Sequence, residues 1–257
     1  MRLFHRLMCM VLCLSGILHS HAVFSQINVR DSANQAFIVG IGGAIQWPQG
    51  ELSQVYGSNA EVSMDVWFKS KGQWLVGIGG GYLFGDRIRI ADQILSDIST
   101  SRGQLLSLNG NYGDYKLFQR GFTFSGQIGK VFTELGHNAN SGWMLTLGAG
   151  YMEHKIRFEN AGQDLPQILD EYQKGYDRLR GGLMFRQFIG YMHSGNDRRV
   201  NFMLGLDLLQ AFTENYRGHQ YDTGLSEEGS QLDLLYGFRF IWFLPIYNKG
   251  SETYYYQ

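Results

Sequence analysis

His219, Asp222 and Ser226 stand within one stretch, NYRGHQYDTGLSEEG. A hydroxyl, an imidazole and a carboxylate are the groups that acyl transfer uses as nucleophile, base and orienting acid. Sharing a loop does not supply the hydrogen-bond geometry that such chemistry needs, so these three are weak catalytic candidates. His137, His154 and His193 lie in separate segments. No pair has the H-E-x-x-H spacing that places two imidazoles on one metal, so no metal site is expected. The glycine-rich stretches GIGG and GIGGGYLFG fall inside alternating segments. Glycine there relieves crowding or bends a strand, and no phosphate cradle or cofactor is implied.

A second set of reactive side chains is dispersed. Asp65, Arg186, Asp207 and Arg239, with Glu61, Arg180 and Asp233, each interrupt a segment that is otherwise apolar at every second residue. The last such segment, Leu232 to Tyr247, reads LDLLYGFRFIWFLPIY. Leu232, Leu234, Tyr236, Phe238, Phe240, Trp242, Leu244 and Ile246 make one unbroken apolar face, while Asp233, Gly237 and Arg239 fall on the other. Charges confined to a water-poor interior are tolerated only when paired and hydrogen-bonded. Counted from the loops, Arg186, Asp207, Arg239 and Asp65 should share one depth. Glu61, Arg180 and Asp233 should form a layer nearer the outer mouth. The simplest role is a salt-bridged plug, with a binding or proton-handling site as the alternative.

The elements that must hold these charges are strands. Period-two alternation recurs near residues 36–47, 59–70, 74–86, 117–133, 142–158, 176–193, 199–214 and 231–247. In each, one face is large and apolar and the other is glycine, amide, hydroxyl or charge. A soluble sandwich would put polar, well-charged residues outside. The non-apolar face here is too glycine-rich for that and suits a narrow interior. The 34 glycines gain a reason on this reading. Connections alternate too. SKGQ, ELGHNANS and HSGNDR are short, whereas the one from Arg87 to Lys116 is long. Short turns at one end and long loops at the other is the pattern of membrane barrels. Trp67, Trp74, Phe132, Trp143, Tyr191 and Tyr247 would ring one interface, and Trp47, Phe84, Phe118, Tyr151 and Phe212 the other.

The bulk properties agree. At 257 residues with a formal charge of −1, the chain fits one domain and carries no basic footprint for nucleic acid. Residues 1–26 have a basic start, Arg2 and Arg6, and an apolar core, Met8 to Leu18, which is too short to span a bilayer. They read as a secretory signal, cleaved near Gln26 or a few residues earlier near Ala22. Cys9 and Cys13 both lie in it, so residues 27–257 have no thiol chemistry. The mean hydropathy of −0.20 would suit a soluble exported protein. Barrels share that value because half of each strand faces inward.

Signal, eight alternating strands and asymmetric loops together resemble the small eight-stranded outer-membrane barrels. The fold class expected is therefore all-β: an antiparallel, up-and-down transmembrane barrel with both termini periplasmic. Its partners would be outer-membrane lipid and, during biogenesis, the barrel-insertion machinery. Gly237, Phe240 and Trp242 resemble the assembly signal that this machinery reads, although Leu235 replaces its usual polar residue and the chain continues as NKGSETYYYQ. GYDRLRGG and IWFLPIYNK look like a Bacteroidota-type group of such barrels. That likeness implies a place beside a larger outer-membrane assembly or secretion complex. Two loop segments carry apolar residues at helical spacing. They are Ile90, Ile94 and Ile98 in RIADQILSDIST, and Leu165, Ile168 and Tyr172 in DLPQILDEYQKG. In the second, Asp164 is a candidate cap and Gly175 a stop. Two short amphipathic helices are expected there, either closing the mouth or docking a partner. The leading functional expectation is a structural or accessory protein. A lipid-modifying acyl hydrolase or transferase and a small pore are the alternatives.

Overall fold

A computed structural model describes residues 33–247, apart from 161, 163, 164, 197–199 and 225–228. The expected signal, the final ten residues and the capping candidate Asp164 lie outside the described residues. Eight strands close into a barrel. They are β1 Ala36–Gly50, β2 Asn59–Lys69, β3 Trp74–Gly85, β4 Lys116–Phe132, β5 Gly142–Glu159, β6 Arg180–Ser194, β7 Asn201–Asn215 and β8 Ser230–Tyr247. Each pairs antiparallel with its sequence neighbours, and β8 returns to β1, with Ala36 opposite Tyr247 and Gly50 opposite Asp233. Closure leaves no strand edge, so each strand has a hydrogen-bonded neighbour on both sides. That is the condition for spanning hydrocarbon with strands.

The alternation expected from sequence holds in three dimensions. On β8, Trp242 is 47 % exposed and its neighbour Phe243 is 0 % exposed. Ile41, Ile78, Ile128, Leu147, Leu206 and Leu244 are likewise turned outward. An exterior this apolar, on a closed wall with no second sheet against it, needs a lipid solvent. Trp74, Phe132 and Trp143 at the short-turn end, and Trp47, Phe84 and Phe212 at the long-loop end, are exposed as a girdle requires. Trp67 is a correction. It is buried in the lumen among Leu75, Met144 and Ile241, because it shares the parity of Glu61, Ser63 and Asp65.

The lumen is filled in layers, and β8 passes through them in order. From the long-loop end its inward residues run Asp233, Leu235, Gly237, Arg239, Ile241 and Phe243. Leu235 belongs to an apolar cluster at the mouth, which includes Met152, Met184 and Leu209. Ile241 and Phe243 belong to a second cluster near the short turns, with Met192 and Met203. Arg239 sits between the two. An eight-stranded barrel encloses about the volume that side chains fill.

The loop helices are shorter than the sequence spacing predicts. Residues 91–98 form one α-turn, α2 (Ala91–Ile94), and one 3-10 turn, Ser96–Ile98. Residues 166–174 form a 3-10 turn, Pro166–Ile168, and then α3, Asp170–Lys174, with Gly175 at its end. A further turn, α1 (Leu52–Val55), follows β1. A two-residue ribbon pairs Leu105–Leu106 with Tyr112–Gly113.

Replacing outward Leu206, near the middle of β7, by Arg should cost about 2–4 kcal/mol in reversible unfolding from lipid vesicles. At a water-facing position the same change would stay within about 0.5 kcal/mol.

Candidate functional site

Two arginines organise the centre of the lumen. Arg186 Nε donates to Asp207 Oδ1 at 2.8 Å, and Nη2 donates to Asp207 Oδ2 at 2.7 Å. The same guanidinium also donates to Glu61, Nη1 to Oε1 at 3.1 Å and Nη2 to Oε2. Arg239 Nη2 donates to Asp65 Oδ2 at 2.7 Å and to Ser63 Oγ at 2.8 Å. Its Nη1 lies 3.7 Å from Glu61 Oε2 and 3.9 Å from Asp207 Oδ2. All five charged groups are buried.

Three carboxylates thus face two guanidiniums. The excess negative charge is met by neutral donors. Thr123 Oγ1 donates to Glu61 at 2.8 Å, Gln127 Nε2 to Asp65 at 3.2 Å, and Gln46 Nε2 approaches both Glu61 and Asp207. Bidentate arginine pairs are the strong form of this interaction. Glycine makes the packing possible on β3, where a Cβ at Gly79 would overlap Asp65 Oδ1 and one at Gly81 would overlap Glu61 Oε1. Below this layer, beside Thr146, Phe188 and Met203, the free space is about 10 Å³, room for about one water.

The layering differs from the sequence expectation at one residue. Glu61 belongs to the central network and not to the outer layer. Ala44 stands opposite both Glu61 and Arg239, which puts the two charges on one cross-strand row. Counting from loop ends misplaced Glu61 because tilted strands are staggered along the barrel.

The outer layer holds Arg180 and Asp233 as expected, together with His154 and Tyr56, which the sequence reading did not join to them. Arg180 Nε donates to Thr213 Oγ1 at 3.3 Å, and that hydroxyl donates to Asp233 Oδ2 at 2.5 Å. His154 Nε2 sits 3.0 Å from the same carboxylate oxygen, while Nδ1 is 3.3 Å from Tyr56 Oη. A carboxylate only accepts, so the Asp233 contact places a proton on Nε2. Burial pushes the Tyr56 phenol well up, and the Asp233 charge adds to this. Continuing the alternation of Thr146, Gly148 and Gly150 by two steps places His154 inward. Tyr56 had no such signal, because it lies in a connector. A cleft of about 170 Å³ opens beside these groups, bordered by Glu51, Arg178, Gln220 and Gln231.

The catalytic candidates do not converge among the described residues. Asp222 is engaged by Arg178, and the His219 ring packs at 6.1 Å on Tyr221. Ser226 lies outside the described residues. Of the loop residues expected to face a partner, Ile94, Leu165 and Ile168 are buried in the mouth cluster, with Ile90 and Ile98 packed against it. Only Tyr172 points out, at 64 % exposure. The amphipathic faces of these turns therefore plug the mouth. Burial favours that outcome, since a fully buried Leu or Ile contributes about 1.5–3 kcal/mol. Gly237 faces inward against β1, where a Cβ would overlap Ile45 O, and Phe240 and Trp242 face outward.

A closed eight-stranded wall, an apolar exterior and an interior of paired charges define a transmembrane β-barrel of the small outer-membrane type. No protein-family model matches the chain, and no curated protein matches it. Solved structures similar to it include the following three. The attachment invasion locus protein Ail of Yersinia pestis has a TM-score of 0.43 at 9 % identity, covering 81 % of this chain and 99 % of its own. Neisserial surface protein A has a TM-score of 0.40 at 10 % identity, covering 82 % of this chain and 97 % of its own. OprG from Pseudomonas aeruginosa has a TM-score of 0.35 at 9 % identity, covering 85 % of this chain and 99 % of its own. Strand pairing and surface chemistry define the barrel.

Arg186→Met should destabilise the barrel by about 3–5 kcal/mol, because it strands the buried carboxylates of Glu61 and Asp207. Glu61→Gln, which removes the excess negative charge, should cost clearly less. Urea unfolding in vesicles compares the two.

Proposed function

We propose that this chain is a non-enzymatic outer-membrane barrel that presents its loop end to a protein partner, as an accessory or structural subunit of a larger outer-membrane assembly or secretion complex. Its termini lie in the periplasm, on the side of the short turns. The observation that carries this reading is the filled interior. A network of five charged groups lies between two apolar clusters, and the mouth is occupied by the chain's own loop turns. Such an interior leaves conduction little room. It leaves the outer surface as the place where function resides.

The loop end supports the same reading. After the loops have covered the mouth, Leu106, Leu108, Tyr112 and Tyr172 remain exposed. Tyrosines such as Tyr112 and Tyr172 on a held surface are of the type that anchors protein interfaces. The acyl-transfer alternative has less behind it, because the Asp222 carboxylate is committed to Arg178.

Extraction from native membranes in mild detergent, followed by affinity capture, should recover a stoichiometric second protein. Leu108→Asp combined with Tyr172→Asp should abolish that recovery while the barrel still migrates as a folded species on unheated gels. Repeated recovery of the barrel alone would count against the proposal.

A further inference from the structure

Cationic side chains on the barrel strands are unevenly placed. Lys69, Arg180, Arg186 and Arg239 are buried. Lys130 lies at the short-turn end, over the Trp74 and Phe132 rings. The remaining four, Lys116, Arg120, Lys155 and Arg157, all lie at the long-loop end of one strand pair, β4–β5. The outward faces of the other six strands carry no Lys or Arg among the described residues.

The register brings these four together. Arg120 stands opposite Lys155 on one side and Phe84 on the other, and Arg157 stands opposite Phe118. Like charges directly across a ladder repel. The local carboxylates do not cancel them. Glu159 lies 3.9 Å from Arg120 and 3.5 Å from Arg157, both loose contacts. Lys155 is exposed and has no carboxylate within 4.0 Å among the described residues. With Glu153 as the only other outward acid on this pair, the patch keeps an excess of positive charge. A cleft of about 410 Å³ runs along it, where Arg120, Lys155 and Arg157 face the single carboxylate of Glu153 between Tyr82 and Phe122. Directly below, Phe122, Phe124 and Ile128 are exposed in the apolar band.

We infer that this notch binds the phosphorylated headgroup of an outer-leaflet lipid. Arg120, Lys155 and Arg157 would hold the phosphate, and the lipid's acyl chains would lie on Tyr82, Phe122 and Phe124. Guanidinium groups suit phosphate because their donors match its oxygens in pairs. Arg120 and Lys155 lie level with Phe84 of the outer aromatic girdle, which is headgroup height, and the apolar strip beneath continues the lipid-covered surface. The inference rests on the membrane reading given above and adds to it one ligand and one site.

The test reconstitutes the mature barrel in phosphatidylcholine vesicles doped with phosphatidylglycerol or with a phosphorylated glycolipid. Retained lipid is then counted by native mass spectrometry after mild detergent extraction. The wild-type barrel should keep one phosphatidylglycerol or phosphorylated glycolipid in preference to the zwitterionic phosphatidylcholine. The R120Q/K155Q/R157Q variant should lose on the order of tenfold in occupancy, whereas K130Q at the opposite rim should behave as wild type. All these side chains face outward, so the variants should form barrels, as unheated gel migration would check. Equal retention by the triple variant overturns the inference, and so does displacement of the lipid by equimolar inorganic phosphate, which would mark a free-phosphate site. A wild-type chain that stays dissolved without detergent would instead sink the membrane reading itself.

Discussion

Hydrocarbon offers no hydrogen bond to a peptide group, and this one constraint governs the molecule. A wall of strands meets it only by closing, and closure here depends on the pairing of β1 with β8, the first and last strands of the barrel. Once the ring is shut with eight strands, its circumference is fixed, and with it an interior too narrow for a water column. Every inward side chain must then find its partners within that volume. The two arginines and three acids of the centre, their hydroxyl and amide donors, and the glycines opposite them are consequences of that confinement.

The same confinement explains why polar and apolar groups alternate along the axis. A buried ionic layer loses its hydration, and its attraction repays this only where geometry is good. Bidentate contacts from Arg186 to Glu61 and Asp207 meet that condition. The apolar clusters above and below keep water from competing. Methionines serve these clusters well, since an unbranched thioether fits the irregular gaps between staggered strands. The loops complete the upper cluster by turning Ile94, Leu165 and Ile168 inward. The outer surface divides accordingly into a lipid-covered band, a cationic rim on one strand pair and a loop surface that meets the medium.

Most of the architecture was legible in the sequence because parity is a local property. Whether a residue faces lipid or lumen depends only on its neighbours two positions away, so Trp242 and Arg239 could be placed without any knowledge of the partner strand. The closing of the mouth by loop turns was legible in type, through the spacing of Ile90, Ile94 and Ile98, but not in extent. Those turns are single, because a chain folded over a narrow opening has no room to continue a helix. Trp67 shows the cost of setting parity aside. Its aromatic character pointed to the girdle, while its position in the alternation pointed inward, and the alternation prevailed.

By itself the sequence determined strand number, facing and the charges that the strands turn into the centre of the lumen, since all three follow from period-two patterning along a continuous chain; Lys69 and Asp177, buried at the two ends, it did not single out. Which charge meets which was decided only by the tertiary structure. Glu61 joins Arg186 and Arg239, and His154 joins Asp233 and Tyr56, through the stagger that closure imposes between strands far apart in sequence. Stagger is a property of the ring as a whole, and no single strand encodes it.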